Sequence, residues 1–473
     1  MVFNSFAYFV FFLTILTVYY ATPLRFRWMV ILCGSYFFYM SWNPAYGLLL
    51  FSTTFMSWVL VRLMVSKPRR TIRKRTIFVT SIVLNLGALF LFKYFDFVST
   101  SFWTLFKYAN EPLLIELLLP IGISFYTFQS LAYVIDVYRG DLPPERNFFR
   151  YATFISFFPP LVSGPILRPA NILPQVHEEK VWNSENLKIG LFYIATGIVK
   201  KLIIADRIGV FVDQIYLQPE LYSGATLLVA TYLFAFQIYC DFSGYTDIAI
   251  GSARILGYTI PDNFRQPYLS QSVTEFWRRW HISLSSWFRD YLYIPLGGNR
   301  KGEWRTYGNL LITMILAGIW HGAAGTFIIF GALHGLYLVT ERLLGRFKIT
   351  MPIFSRLHVV PIAFRVFLTF NFVALAWIFF RAASIGEALH IVGKIVGDFG
   401  VFHSSVIPLS SLALYGVMIC GLLVFDYLEM KRAISQKILA MAWPYRWALA
   451  YAVIFSLIFF GSESGGQFIY FQF

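Results

Sequence analysis

Long apolar runs separated by short basic segments fill this chain from one end to the other. A helix that crosses a bilayer needs about 20 mainly apolar residues. The candidate spans are residues 5–21, 28–42, 46–64, 77–97, 113–137, 187–216, 225–256, 307–321, 326–343, 361–380, 406–428 and 446–461. Because some are short or interrupted, the pattern predicts about eleven or twelve transmembrane helices. The predicted fold class is therefore an all-α polytopic membrane protein.

Proline, asparagine and glycine mark the places where these runs break. A Trp-Asn-Pro-Ala sequence at 42–45 divides one uncharged run into two spans, since Pro and Asn favour turns. Two prolines at 159–160 and a Gly-Pro pair at 164–165 would break a helix. We therefore expect residues 151–168 to form a re-entrant segment that packs against protein rather than lipid.

Charged residues are scarce, and the charge that is present is basic. Of the 473 residues, 58% are hydrophobic and 13% are charged, with a net charge of +15. Soluble domains carry about 25% charged residues, so residues 1–473 are expected to form a single membrane domain. Nucleic acid is excluded as a partner because it would need a soluble basic face, and membrane lipids are the expected surroundings.

The distribution of the basic residues predicts the topology. If the spans alternate from an outside start, every basic cluster falls in the cytosol, as the positive-inside rule requires. These clusters are at 67–75, 139–150, 265–305, 342–365 and 431–446. Residues 263–305 then form a cytoplasmic interfacial block, and residues 462–473 an extracytoplasmic C-terminal tail. The first charge, Arg25, follows the first apolar run, which indicates a retained span rather than a secretory signal.

Large apolar and aromatic residues within the interfacial block recur at spacings of three and four, as on one face of a helix. They are Trp277, Trp280, Leu284, Trp287 and Tyr291. Tryptophan combined with basic residues suits a helix that lies in the membrane interface. Simple anchoring is the alternative to a role in chemistry, because aromatic belts are common there.

Two histidines, each beside a tryptophan, are the strongest candidates for chemistry. One is His321, in an otherwise uncharged run from Thr306 to Thr340, and the other is His281. An ionisable side chain in a hydrocarbon-length segment is costly, so its default interpretation is a functional site. The fifteen helical steps from Thr306 to His321 rise about 22 Å. This rise predicts that the His321 imidazole lies past the midplane of a ~30 Å hydrocarbon core.

Several segments resemble the bacterial branch of the membrane-bound O-acyltransferase family. They are LPIGISFYTF at 119–128, DFSGYTD at 241–247, TEFWRRWHISLS at 274–285, LGGNR at 296–300 and GIWHG at 318–322. One departure is the second of the two prolines at 159–160, where family members often have His or Gln. The resemblance implies a multi-pass protein of the bacterial inner membrane with helices around a central funnel. It also implies acyl transfer from a cytosolic thioester to a hydroxyl across the membrane.

The resemblance assigns roles to two histidines, and the position of a third leaves its role open. His321 matches the catalytic position, where a neutral imidazole takes the proton of the acceptor hydroxyl; a buried structural histidine is the alternative. His281 matches the second active-site position, where it would polarise the thioester carbonyl or place the acceptor, or be structural. His334 is as compatible with helix packing as with catalysis.

Four arginines of the block are candidates for binding the phosphates of acetyl-CoA, the expected acyl donor, since guanidinium groups suit phosphate. They are Arg278, Arg279, Arg289 and Arg300. Lipid headgroups are the alternative ligand. No metal is expected, because the histidines form no His-x-x-x-His pair and no Glu-x-x-His or thiolate cluster accompanies them.

Polar residues in an apolar setting must find partners, since they are costly alone. Asp241, Ser243 and Asp247 are such residues. Together with His334 they are predicted to line the funnel, more as a structural network than as catalysts.

The C-terminal tail carries a phenol, Tyr470, among apolar residues. By likeness to D-alanyl transfer machinery, Tyr470 is a candidate acyl relay between His321 and an extracytoplasmic partner; docking of the tail through its aromatic rings is the alternative. The resemblance gives this partner a serine-hydrolase-like fold and makes an exopolysaccharide such as alginate the final acceptor. Peptidoglycan, cellulose and teichoic acid are alternative acceptors. A conduit or a secretion scaffold without chemistry is the remaining alternative.

Overall fold

The computed structural model describes residues 3, 5–66, 71–106, 111–350, 361–402, 408–431, 433–461, 468 and 469. Across these residues the regular structure is helical and no β-strand is found, which confirms the predicted all-α class. The chain falls into two compact units. The first comprises 1–194 and 245–261, and the second comprises 195–244 and 262–473.

The helices that begin in the first unit are α1 (Phe6–Ala21), α2 (Arg27–Met40), α3 (Pro44–Val65), α4 (Thr71–Leu89), α5 (Phe95–Phe106), α6 (Ile123–Arg139), α7 (Phe148–Ser156), α8 (Phe158–Leu161), α9 (Pro169–His177) and α10 (Ser184–Ile198). The turn predicted at 42–45 is confirmed. Asn43 caps α3 by accepting a hydrogen bond from the Ala45 backbone N–H at 3.0 Å, and Pro44 takes the first helical position, where its missing N–H is not needed.

The helices that begin in the second unit are α11 (Asp206–Leu217), α12 (Gly224–Ile255), α13 (Val273–Arg279), α14 (Ile282–Phe288), α15 (Glu303–His321), α16 (Gly325–Thr350), α17 (Ile362–Arg381), α18 (Ile385–Gly397), α19 (Leu409–Met430), α20 (Ala433–Ala440) and α21 (Trp443–Phe460). Within the described part of the chain, three π-helical segments extend neighbouring helices, at Phe90–Tyr94, Val199–Ala205 and Arg289–Tyr293. Such segments are rare and occur frequently at functional sites.

Seven helices of the described residues are long and apolar enough to cross a membrane. They cover 44–65, 72–106, 224–255, 325–345, 362–381, 409–430 and 443–460. Helix α1 is apolar but shorter. The predicted spans at 28–42 and 307–321 correspond to α2 and α15, which fall outside the seven. The multi-pass character is therefore confirmed, whereas the count of eleven or twelve, the central funnel and the sidedness stay predictions.

The predicted span at 113–137 is wrong in its first part. Residues 111–120 are not helical, and α6 begins only at Ile123. Gly122 directly before it has a φ of 77°, a left-handed conformation that glycine adopts readily. A Cβ at this position would also lie 2.6 Å from the carbonyl oxygen of Leu161, so the chain can turn here only with glycine.

The segment at 151–168 is broken and packed against protein, as its prolines predict. Helix α7 ends at Ser156, the single turn α8 follows, and helical structure resumes only at Pro169. Every residue from 151 to 167 is buried. Buried irregular backbone is the arrangement that a membrane protein can tolerate away from water.

The single interfacial helix predicted through Trp277 and Tyr291 is wrong. The chain forms two short helices, α13 and α14, because His281 between them has a φ of 42° in the left-handed region. Trp280, next to this break, is fully buried in the second unit. It therefore packs within protein instead of anchoring a helix in the interface.

Candidate active site

His321 is the last residue of α15, where the helix ends abruptly. Gly322 follows in an extended conformation, and a Cβ there would overlap the ring of Phe327. The His321 side chain is buried, with the residue 2% exposed. Its ring centroid lies 5.3 Å from that of Phe380 and 5.8 Å from that of Phe330.

Helices α15 and α16 approach backbone to backbone next to His321. A Cβ at Gly331 would overlap the carbonyl oxygen of Met314, and a Cβ at Gly318 would overlap that of Phe327. Small residues allow this close approach between apolar helices. The contact holds Phe330 of α16 against His321.

The structure brings His281 and His321 together, with ring centroids 6.5 Å apart. His281 is fully buried, and its Nδ1 lies 3.2 Å from Oδ1 of Asn263. The same oxygen accepts hydrogen bonds from the backbone N–H and the hydroxyl of Ser283. Because Oδ1 acts as an acceptor throughout, Nδ1 of His281 carries the proton and Nε2 presents a lone pair. Burial lowers the pKa of His281 to about 3, so this ring is neutral at physiological pH.

Three buried charged side chains form a cluster near His281. One of them belongs to the residue directly before the phenylalanine whose ring contacts His281. Lys201 of the second π-helical segment contacts Asp206 at 2.7 Å and Asp241 at 2.6 Å. All three side chains are at most 4% exposed. Phe242, the next residue after Asp241, packs edge-on against His281 with centroids 4.8 Å apart. Sequence analysis identified Asp241 but missed Lys201. Lys201 lies within the predicted span at 187–216, and a charged side chain in an apolar span is the same signal that identified Asp241.

Part of the C-terminal tail docks on this cluster. The backbone N–H of Ile469 donates to Oδ2 of Asp241 at 2.7 Å, and the Phe468 ring lies 5.7 Å from that of Phe242. Both tail residues are buried. Tyr470, the predicted relay, lies outside the described residues.

The other predicted polar residues are dispersed. Ser243 is buried in the second unit, whereas Asp247 is half-buried and belongs to the first. His334 of α16 is fully buried, and its Nδ1 accepts a hydrogen bond from Nε1 of Trp277 at 3.2 Å. Ring contacts connect His334 to His321 through Phe330.

A cavity of about 1030 Å³ in the second unit is lined by four arginines and one glutamate, Glu341, among apolar and neutral polar residues, and we call it the arginine cavity. The arginines that line it are Arg278, Arg289, Arg342 and Arg365. Arg278 and Arg289 were predicted to bind phosphate. Arg342 and Arg365 were used in the sequence analysis only to predict the topology. The other two predicted arginines lie elsewhere: Arg279 pairs with Glu275 at 2.5 Å, and Arg300 is exposed outside the lining.

Comparison with known proteins identifies the family of the chain. The model of MBOAT, the membrane-bound O-acyltransferase family, matches residues 145–383, which contain both histidines and all the arginines of the cavity. The chain belongs to the membrane-bound O-acyltransferase family. It is therefore an O-acyltransferase and a multi-pass membrane protein.

Relatives in this family act on different acceptors. The chain is 40% identical to a probable alginate O-acetylase of Pseudomonas putida over 90% of this chain and 85% of the relative. It is 37% identical to a peptidoglycan O-acetyltransferase of Helicobacter pylori over 79% of this chain and 74% of the relative. A teichoic acid D-alanyltransferase of Bacillus subtilis is 33% identical over 46% of this chain and 58% of the relative.

Proposed function

We propose that this O-acyltransferase moves an acetyl group from cytosolic acetyl-CoA across the bacterial inner membrane for O-acetylation of an alginate-like exopolysaccharide. An extracytoplasmic partner with a serine-hydrolase-like fold receives the group and completes the transfer. The observation that carries the proposal is the pair of buried histidines, 6.5 Å apart, in the same compact unit as the arginine cavity.

In the proposed reaction His321 acts as the general base. Its imidazole takes the proton of the acceptor hydroxyl while the hydroxyl oxygen attacks the acyl carbon. The tetrahedral intermediate then collapses, the carbon–sulfur bond breaks, and the imidazolium returns its proton to the departing thiolate. The new ester and the free thiol balance the reaction, and His321 ends neutral, as it began.

His281 is proposed to place the acceptor. Polarising a carbonyl would require an N–H directed at the reacting atoms, but the hydrogen bond from Nδ1 to Asn263 supports a lone pair on Nε2. That lone pair can accept a hydrogen bond from a hydroxyl. A neutral ring also avoids placing a positive charge beside the group that must accept a proton.

The arginine cavity is the proposed donor site. Its four guanidinium groups come from the interfacial block and from the basic segment at 342–365, both predicted to be cytosolic. Arginine suits phosphate because its planar fork donates two parallel hydrogen bonds. Coenzyme A carries phosphates at one end and the thioester at the other, so phosphates held here would direct the acyl end into the protein.

Alginate is favoured as the acceptor because the alginate O-acetylase resemblance covers 90% of the chain. Peptidoglycan is the second candidate, supported by a relative matched over 79% of the chain.

Expression in an alginate producer that lacks its own O-acetylase tests both, with acetyl esters measured by NMR on secreted alginate and on isolated peptidoglycan. Esters on alginate are expected. Acetyl esters on peptidoglycan alone would show that peptidoglycan, not alginate, is the acceptor. The absence of acetyl esters from both polymers would contradict the proposal that the protein acetylates a polysaccharide.

Replacing Arg289 by glutamine is expected to raise the KM for acetyl-CoA about tenfold with little change in kcat, because a charge-assisted hydrogen bond to phosphate is lost. Steady-state thiol release by the protein in lipid vesicles measures this. Arg300→Gln is the matched control, since Arg300 is exposed outside the cavity, and its KM should stay unchanged. An unchanged KM for Arg289→Gln, with a lost preference for anionic vesicles, would assign the arginine to lipid headgroups instead.

A further inference from the structure

The arginine cavity and His321 are separated by aromatic side chains. Trp277 lines the cavity, and behind it lies His334, with ring centroids 5.0 Å apart. Phe330 lies 4.8 Å beyond His334 and contacts His321 at 5.8 Å. Neither His334 nor Phe330 is more than 1% exposed. One continuous series of ring contacts therefore leads from the cavity wall at Trp277 to His321.

One hydrogen bond fixes Trp277 in this position. Its indole N–H donates to Nδ1 of His334 at 3.2 Å. The Phe276 ring lies parallel to the His334 ring at an interplanar angle of 5°, and the imidazole is fully buried. A neutral hydrogen bond in an apolar wall is strong enough to favour one side-chain position and weak enough to break when a ligand arrives.

The backbone that carries Trp277 is anchored independently of this bond. Glu341 of α16 accepts hydrogen bonds from the backbone N–H groups of Val273 and Thr274 and from the Thr274 hydroxyl at 2.7 Å. These contacts tie the start of α13 to the helix that carries His334. Rotation of the Trp277 side chain can therefore open the wall without displacing α13.

We propose that Trp277 is a gate between the arginine cavity and His321, and that His334 is the positioning residue that holds it closed. The gate rests on the proposed access of the acyl donor through this cavity. Closed, it keeps water from the region where an acyl thioester would otherwise be hydrolysed. Open, it lets the acyl group reach His321 once the His334 and Phe330 rings behind it also move aside, and the width of the opening limits acyl length.

Chemical modification of His321 tests the gate without any acyl donor. Diethyl pyrocarbonate modifies accessible neutral imidazoles, and peptide mass spectrometry locates the modified ring. In the wild-type protein in lipid vesicles, His321 should be protected. Trp277→Ala should raise its modification rate about tenfold or more. Trp277→Phe and His334→Leu should each raise it about fivefold, the factor that corresponds to one neutral hydrogen bond.

Trp287→Ala is the matched control, because Trp287 is a buried tryptophan of the same unit that does not line the cavity. It should leave His321 protected. Equal protection in the wild type and in all three gate variants would overturn the gate, and so would an equal rise in the control.

Thioester turnover provides the second measurement. Trp277→Ala should release thiol from acetyl-CoA in the absence of an acceptor and should also accept butyryl-CoA, which we expect the wild type to exclude. The double variant Trp277→Ala/His321→Ala should abolish this leak, and a leak that persists there would overturn the route through His321. If modification rises but no variant turns over acetyl-CoA, the gate stands and the proposed donor fails.

Discussion

Replacing His321 by alanine is expected to lower the rate of acyl transfer by about 10²–10⁴-fold, the range that general-base catalysis supplies. The change removes the imidazole and leaves the aromatic rings around it in place. The measurement is thiol release from acetyl-CoA by the protein in lipid vesicles, with ester formation in cells as a second readout. The melting temperature of the variant shows separately whether the fold survives.

His390→Ala is the matched control for this substitution. His390 is an exposed histidine on α18 of the same unit, and its loss should leave the transfer rate unchanged. If His321→Ala retains more than about a tenth of the wild-type rate, general-base chemistry at this ring is refuted. If the protein were a passive conduit or a secretion scaffold without chemistry, His321→Ala would leave its function unaffected.

The sequence predicts which residues come together better than it predicts how they do so. The cost of an ionisable group in an apolar run singles out His321, the family resemblance adds His281, and the structure brings their rings within 6.5 Å. Their separation of forty positions along the chain is closed by glycine contacts between α15 and α16 and by the turn at His281. Tertiary packing of this kind produces no periodic pattern in the amino-acid sequence.

The interfacial helix fails for a physical reason. Spacings of three and four reflect helical geometry only while every residue stays in the right-handed region. His281 adopts a φ of 42°, which a non-glycine residue does only where its surroundings compensate for the strain. Hydrogen bonds to Asn263 on both His281 and Ser283 provide that compensation. Asn263 lies eighteen positions before His281, so its contribution is invisible to local periodicity.

Basic residues show a second limit of sequence analysis. The positive-inside rule uses Arg342 and Arg365 only to orient the chain. The structure adds that both line one cavity with Arg278 and Arg289. Charge counting thus predicts on which side of the membrane a cavity would open. Which arginines share the cavity is determined by the packing of α13, α16, α17 and the π-helical segment Arg289–Tyr293.

Replacing Lys201 by methionine is expected to destabilise the protein by about 3–5 kcal/mol, the usual effect of removing one partner of a buried ion pair. The substitution leaves two carboxylates, Asp206 and Asp241, buried without the ammonium group that contacts both. Loss of monodisperse protein with rising temperature in detergent measures the change. Lys188→Met is the matched control: Lys188 pairs with Glu185 at the surface, where such pairs contribute about 0–1 kcal/mol.

A triple variant separates the charge from the packing. Lys201→Met/Asp206→Asn/Asp241→Asn removes every charge of the cluster and should recover most of the lost stability, because replacing a whole buried ion cluster is often close to neutral. The side-chain amide introduced by Asp241→Asn keeps a carbonyl oxygen that can accept from the Ile469 N–H, so the tail contact should survive. A triple variant as unstable as Lys201→Met would show that the unpaired carboxylates do not cause the instability, because the two variants share Met at 201 and differ only in the charges at 206 and 241.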